Sequence, residues 1–258
     1  MGCTMVKLDF NQILALVPLS REQLTILPVV DSTMVYASQR RFSGMHVIAA
    51  EQQTAGQGQR GHHFQSPDGG IYLTLVVPVK QQFLQQPGLL TIGVGVAVRT
   101  AIVRILKVAP ELKWVNDLFL QGQKCGGVLT KVQTNTANQP TAIMIGIGLN
   151  LGPSPALQTV QATNLAPDTR LKNELVAELC KQVLAFYRRP VADEVRQQYQ
   201  AHLLWRQCLV QIKNHDRYVT GYLQGITPNF ELQLQTATGT DCLVTAAASQ
   251  HLHLISAR

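Results

Sequence analysis

Lys113-Trp114-Val115-Asn116-Asp117-Leu118-Phe119-Leu120-Gln121-Gly122-Gln123-Lys124-Cys125-Gly126-Gly127-Val128-Leu129 carries the architecture of this chain in miniature. Lys113–Leu120 and Lys124–Val132 are strand-like runs, rich in apolar and β-branched residues. Gln121-Gly122-Gln123 between them has the length and the glycine of a hairpin loop. Such a hairpin brings Asn116, Asp117 and Lys124 to one end of a sheet. A cation and a carboxylate placed together suit phosphate chemistry. Lys124 can neutralise negative charge on a phosphate there. Asp117 can share a magnesium ion with substrate phosphates.

Further strand-like runs lie at His46–Ala50, Ile71–Val77, Gly127–Val132 and Ala142–Ile147, separated by Gly, Pro and Asp signals. Two helical patterns interleave with them, Leu89–Val108 and Lys172–Arg189. In the second, Val176, Leu179, Cys180, Val183 and Tyr187 recur on one face. Pro190 ends it, and another helix is expected from Val191 towards Trp205. Residues 9–27 read as a short helical lead-in ending near Pro28. The last fifty residues alternate with period two, as in Cys208, Val210, Ile212 and again Phe230, Leu232, Leu234, around turns at Asn214-His215-Asp216 and Thr238-Gly239. The expectation is an α+β fold: a mixed or antiparallel sheet with helices, then a small all-β barrel. It divides into a lead-in at 1–29, a main segment at 30–206 and the barrel at 207–258.

The formal net charge is +7 over 258 residues, but the basic residues are scattered and the densest runs are only pairs, such as Arg40-Arg41. No basic stripe interleaved with aromatics appears, so no DNA partner is expected. The segment before the catalytic part is also too short for a winged helix-turn-helix. The five cysteines, Cys3, Cys125, Cys180, Cys208 and Cys242, include no CxxC pair, which argues against a zinc or redox site and fits reduced thiols in a cytoplasm. No signal-peptide pattern opens the chain. Leu89–Val98 is apolar but short, and Arg99, Arg104 and Lys107 follow it, so it reads as a buried helix and no membrane partner is expected.

Gly56-Gln57-Gly58-Gln59-Arg60-Gly61 fits GxGxxG formally. A dinucleotide-binding turn needs a helix to open at the glycines, yet His62-His63-Phe64-Gln65-Ser66-Pro67-Asp68-Gly69-Gly70 is turn-rich. The glycines instead suit a loop whose backbone closes around phosphates. His62 and His63 are read as exposed loop residues.

The order of the motifs is more specific than any one of them. Asp31-Ser32-Thr33, Gln53 ahead of the glycine loop, Lys113-Trp114-Val115-Asn116-Asp117, Lys124-Cys125-Gly126-Gly127-Val128-Leu129 and Gly146-Ile147-Gly148-Leu149-Asn150 follow one another over residues 31–150. This series resembles the biotin–protein ligases, and Gln161-Ala162-Thr163-Asn164-Leu165 with the β-rich C-terminus extends the likeness. The resemblance implies a class II synthetase-like biotin/lipoate ligase catalytic fold. It implies a magnesium-dependent enzyme that forms biotinyl-5'-AMP from biotin and ATP, then transfers biotin to a lysine of the biotin carrier domain of a carboxylase, with a homodimer as a possible assembly. Carried onto matching positions, it gives Ser32, Thr33 and Gln53 to the ureido ring of biotin, with Met34 beside them, and Gly56, Gln57, Gly58, Gln59 and Arg60 to the carboxylate and phosphate. Lys124 becomes the catalytic contact to the reacting carboxylate and Asp117 the magnesium ligand. Trp114 falls on the apolar wall, Asn116 and Asn150 on the nucleotide side, and Gly126 and Gly127 in the segment around Lys124.

Several positions depart from that pattern. Gln57 and Gln59 stand where the family carries arginines, the second of them tied to holding the adenylate. Met34 replaces a polar residue, Val115 a proline and Lys131 an acidic residue. Losing one charge-assisted contact costs about 1.5–3 kcal/mol. Arg60 compensates only if the loop is re-registered. Besides a fully active ligase, the departures leave open a weakened or inactive relative acting as a binding or regulatory protein. A ligase for another acyl cofactor such as lipoate is a further alternative.

Overall fold

The computed structural model describes residues 5–153, 162–239 and 241–256; Cys3 and Gln161 lie outside the described residues. The hairpin is present, but its first arm is broken in two. β4 (Glu111–Lys113) and β5 (Asp117–Leu120) pair antiparallel, and Trp114-Val115-Asn116 forms the tight turn between them, with a cis peptide before Val115. The expected continuous strand Lys113–Leu120 is thus replaced by two short ones. The second turn is the two-residue Gln121-Gly122, with φ of 52° and 77°, leading into β6 (Gln123–Thr134). Two successive positive φ values match the twist of paired strands, and glycine takes the second at no steric cost.

Around this hairpin runs a seven-stranded sheet in the order β1-β2-β3-β7-β6-β5-β4. It is formed with β1 (Leu24–Val30), β2 (His46–Gln53), β3 (Ile71–Val77) and β7 (Pro140–Leu149). β1 pairs parallel with β2, and the other pairings are antiparallel. The helical lead-in expected through residue 27 is therefore corrected. Helix α1 spans only Phe10–Leu16, a 3-10 turn spans Arg21–Gln23, and strand begins at Leu24. Pro28 is tolerated because β1 is an edge strand, where a missing N–H breaks no ladder. A parallel neighbour needs a crossover, and the connection to β2 carries helix α2 (Thr33–Ser38).

One sheet face packs on α4 (Pro87–Leu106) and α5 (Lys172–Arg188), with α3 (Gln81–Gln85) and α6 (Ala192–Ala201) beside α4. Pro87 opens α4 at a position whose N–H has no helical partner, and Lys107 closes it in the left-handed region. By length and apolarity α4 could cross a bilayer. Here it buries Leu89, Ile92, Val94, Val98 and Ile102 in the core. The opposite sheet face carries α2, where Met34 and Ala37 pack on Ile48, Val76, Leu129 and Met144.

The all-β C-terminal part is a five-stranded antiparallel sheet, β11-β10-β9-β8-β12. Its strands are β8 (Leu209–Asn214), β9 (Arg217–Ile226), β10 (Leu232–Gln235), β11 (Asp241–Val244) and β12 (Ser249–Ser256). Val210, Ile212, Leu223, Leu232, Leu234, Val244 and Leu252 join the same core cluster as the large sheet. Leu112 also exchanges backbone hydrogen bonds with His202 and Leu204.

Candidate active site

A cavity of about 270 Å³ opens on the α2 face of the large sheet. Its floor is thin because small residues lie side by side: Gly127 pairs with Gly148, and Gly146 sits between Thr74 and Leu129. A Cβ at Gly148 would stand 2.6 Å from the Phe64 ring, and one at Gly146 3.1 Å from the Met34 sulfur. These glycines let Phe64 and Met34 lie close against the sheet.

One set of lining groups is neutral and polar. The parallel crossover sets Ser32 and Thr33 at the start of α2. The Thr33 N–H and hydroxyl donate to Gln53 Oε1 at 2.9 and 3.1 Å, and Thr74 donates to Thr33 at 2.9 Å. Gln53 Nε2 donates to Ser66 at 2.8 Å, and Ser66 donates to the Phe64 carbonyl at 2.9 Å. This chain of bonds fixes the orientation of the Gln53 amide and leaves its second N–H for a ligand. Ser32 is 1 % exposed, and its hydroxyl has no protein partner. A buried hydroxyl left alone is costly, which marks it as a group awaiting a ligand.

A second set is charged. Lys124 Nζ lies 2.6 Å from Asp117 Oδ1, both side chains being partly exposed. Lys113 stands over the rings of Phe119 and Trp205, at 4.9 and 4.8 Å from their centroids. Burial pushes the Lys113 ammonium below its ordinary range; Asp117 opposes that shift and Lys124 adds to it. Among the described residues, Asp117 is the one carboxylate on the cavity wall.

The glycine loop folds as a pinched hairpin. Phe64 N–H donates to Gly56 O at 2.8 Å and Gly58 N–H to His62 O at 2.7 Å. A 3-10 turn at Gln59–Gly61 closes it, with Arg60 at φ 55°. No α-helix opens at the glycines, as the turn-rich sequence implied. A Cβ on Gly56 would run into the Phe64 carbonyl and Ser66. Arg60 donates to the Ala247 carbonyl at 2.7 Å and does not replace the missing loop arginines here. Gln57 and Lys131, two of the positions that depart from the family pattern, meet at 2.9 Å, Lys131 donating.

Most sequence-expected residues meet at this cavity: Ser32, Thr33, Met34, Gln53, Gln57, Gly58, Gln59, Arg60, Trp114, Asn116, Asp117, Lys124 and Gly127 all line it. Three do not. Gly56 sits behind Gln53, and Gly126 packs on Leu149 and the Gly148 carbonyl. Asn150 donates towards the Lys124 and Thr163 carbonyls, and its N–H bonds Cys125 O, so it braces the strand carrying Lys124. Asn116 lines the wall but donates its side-chain N–H to Val128 O at 2.8 Å, pinning the Trp114–Asn116 turn to β6. The sequence reading missed Phe64, Lys113 and the β12 residues His251, Leu252 and His253. Lys113 was signalled by its place in the motif; the β12 residues belong to no motif.

The arrangement couples a neutral polar recess to a cation–carboxylate pair across a glycine floor, which suits an uncharged polar head on an acid activated at phosphorus. The model of the biotin/lipoate A/B protein ligase family matches residues 26–150. The chain is 31% identical over 131 residues to the bifunctional ligase/repressor BirA of Escherichia coli, covering 50% of this chain and 40% of that protein. It is 32% identical over 172 residues to the biotin–[acetyl-CoA-carboxylase] ligase of Mycobacterium tuberculosis, covering 61% and 62%. The matches thus span less than two thirds of these relatives. The biotin protein ligase of Aquifex aeolicus, solved with biotin and ATP, shares the fold with a TM-score of 0.78 at 23% identity, over 90% of this chain and 99% of that one. Over residues 26–150, which carry most of the cavity-bearing sheet, the chain is similar to the biotin/lipoate A/B protein ligase family, and its fold is shared with the Aquifex aeolicus ligase.

Proposed function

We propose that the chain is a biotin–protein ligase, an ATP-dependent, AMP-forming enzyme of the cytoplasm. The observation that carries this is the joining of the Ser32–Thr33–Gln53 recess and the Lys124–Asp117 pair in one cavity. The ureido group of biotin offers a carbonyl acceptor and two N–H donors. The Ser32 hydroxyl and the second Gln53 N–H are the groups left to meet it. The valeryl chain then runs over the glycine floor past Trp114, and its carboxylate arrives at Lys124. Lys124 draws carboxylate and α-phosphate together and stabilises the charge that builds as pyrophosphate leaves. In the second step the amine of a carrier-domain lysine attacks the acyl carbon of the mixed anhydride and AMP departs.

Magnesium fits this donor set in one way. The ion usually takes one or two carboxylates plus substrate phosphates, and Asp117 supplies a single carboxylate beside the phosphate site. Asp117 would hold an ion that neutralises the triphosphate. The four described cysteines are unpaired, which supports the cytoplasmic location.

The test is pyrophosphate release by the purified chain with biotin, ATP and magnesium, with and without a biotin carrier domain. Biotin-dependent release followed by carrier labelling is expected, and Lys124→Ala should lower release by about 100-fold or more. Release that ignores biotin, or that survives Lys124→Ala unchanged, overturns the assignment.

A further inference from the structure

The cations around the cavity already have protein partners. Lys124 faces Asp117, Lys113 lies between two aromatic rings, Arg60 donates to Ala247, and Lys131 donates to Gln57. Four imidazoles on the same wall are different: His62 and His63 from the glycine loop, His251 and His253 from β12. Among the described residues, no side-chain hydrogen bond engages any of the four. His251 and His253, two apart on one strand, point the same way, their rings 8° from parallel and 6.1 Å between centroids. His62 meets His251 edge-on at 6.1 Å. A loop and a strand far apart in sequence thus set a row of unspent N–H donors on the cavity that holds the cation–carboxylate pair.

We propose that His62, His63, His251 and His253 are the contacts for the β- and γ-phosphates of the nucleotide, and for the pyrophosphate it releases. This rests on the ligase reading and assigns residues within it. A neutral imidazole offers one N–H and a protonated one offers two, so the row suits an anion with many acceptor oxygens. It also supplies donors on a loop where Gln57 and Gln59 bring no charge. Arginine would hold the leaving group more tightly; imidazoles hold it and let it go. The residues on β12 make the C-terminal sheet part of the nucleotide site.

The test is calorimetric binding of inorganic pyrophosphate, ATP and adenosine to the full chain and to two double variants. His62→Ala with His63→Ala removes the loop donors. His251→Gly with His253→Ala removes those of β12, glycine being chosen because His251 sits at φ 51°, which glycine takes without strain. Each pair should weaken pyrophosphate and ATP about tenfold, the loss of two ordinary hydrogen bonds, with adenosine affinity within about twofold. Transfer from preformed biotinyl-adenylate to the carrier should keep its rate. Unchanged pyrophosphate affinity in both variants, or an equal loss for adenosine, overturns the assignment, as does an unaltered chain that fails to bind pyrophosphate. Because binding is read without turnover, this failure is distinct from failure of the ligase reading, which shows as absent biotin-dependent pyrophosphate release.

Discussion

Lys172 is the most deeply buried charge among the described residues, 0 % exposed at the first turn of α5. Its ammonium meets Glu51 Oε2 at 2.5 Å, and Glu51 Oε1 accepts the Leu8 N–H. Replacing Lys172 with methionine keeps most of the volume and removes the charge. Breaking a buried pair from one side costs about 3–5 kcal/mol, because the remaining charge stays buried and uncompensated. The Glu51 side chain is 10% exposed and keeps the Leu8 N–H, which argues for the lower end, about 3 kcal/mol. Glu51→Gln should cost a similar amount by stranding the lysine. The double variant Lys172→Met with Glu51→Gln leaves no charge and should recover part of either single loss. Urea unfolding at neutral pH, followed by tryptophan fluorescence, measures all three. The segment from Val6 to Asp9, held through Thr169, Glu51 and Asn173, should become protease-sensitive in parallel. A Lys172→Met protein within about 0.5 kcal/mol of the parent, the scatter of ordinary surface substitutions, would refute the reasoning.

Gly148→Ala puts a methyl 2.6 Å from the Phe64 ring and pushes that ring into the cavity; about 1–3 kcal/mol of overpacking should appear as a raised KM for biotin, and unchanged kinetics would show that the floor has slack. Burial lowers the His46 pKa below 6.5, so the unfolded chain takes up this proton first; the contribution to stability is present above about pH 6.5 and is lost as pH falls through that value towards the folded one. His46→Gln should therefore flatten the fall in urea midpoint between pH 7.5 and 5, and an identical slope would remove His46 as a cause. Burial pushes the Cys125 and Cys180 thiols up to about 12, so both should resist a thiol reagent that labels Cys208 and Cys242 in the native protein; mass mapping of the labelled sites decides this.

The sequence made most of the α2-face cavity legible because its residues sit in motifs whose order is fixed. Asn116, Asp117 and Lys124 were placed together by one hairpin, a local feature that strand period and a glycine turn suffice to reveal. The β1 strand was not legible. Leu24-Thr25-Ile26-Leu27 follows a helical stretch and runs into Pro28, and only its edge position makes that proline acceptable. The break at Trp114-Val115-Asn116 was hidden as well, because apolar residues on both sides mimic one continuous strand. Asn116 and Asn150 carried the right residue type, but their side chains brace backbone. The β12 histidines lie almost two hundred residues from the loop they face, and alternation along a strand says which way side chains point, not what stands opposite.

Arg60 reaches from the glycine loop to the turn between β11 and β12, and β12 itself walls the cavity. The two sheets therefore meet mechanically at the cavity. A molecule held between them acts as a bolt, binding only when both halves are folded and in register. At 100 times its dissociation constant such a ligand adds about 2.7 kcal/mol to whatever must come apart before it can leave. In a melting experiment ATP should raise the unfolding temperature of both sheets together, adding to the core they already share.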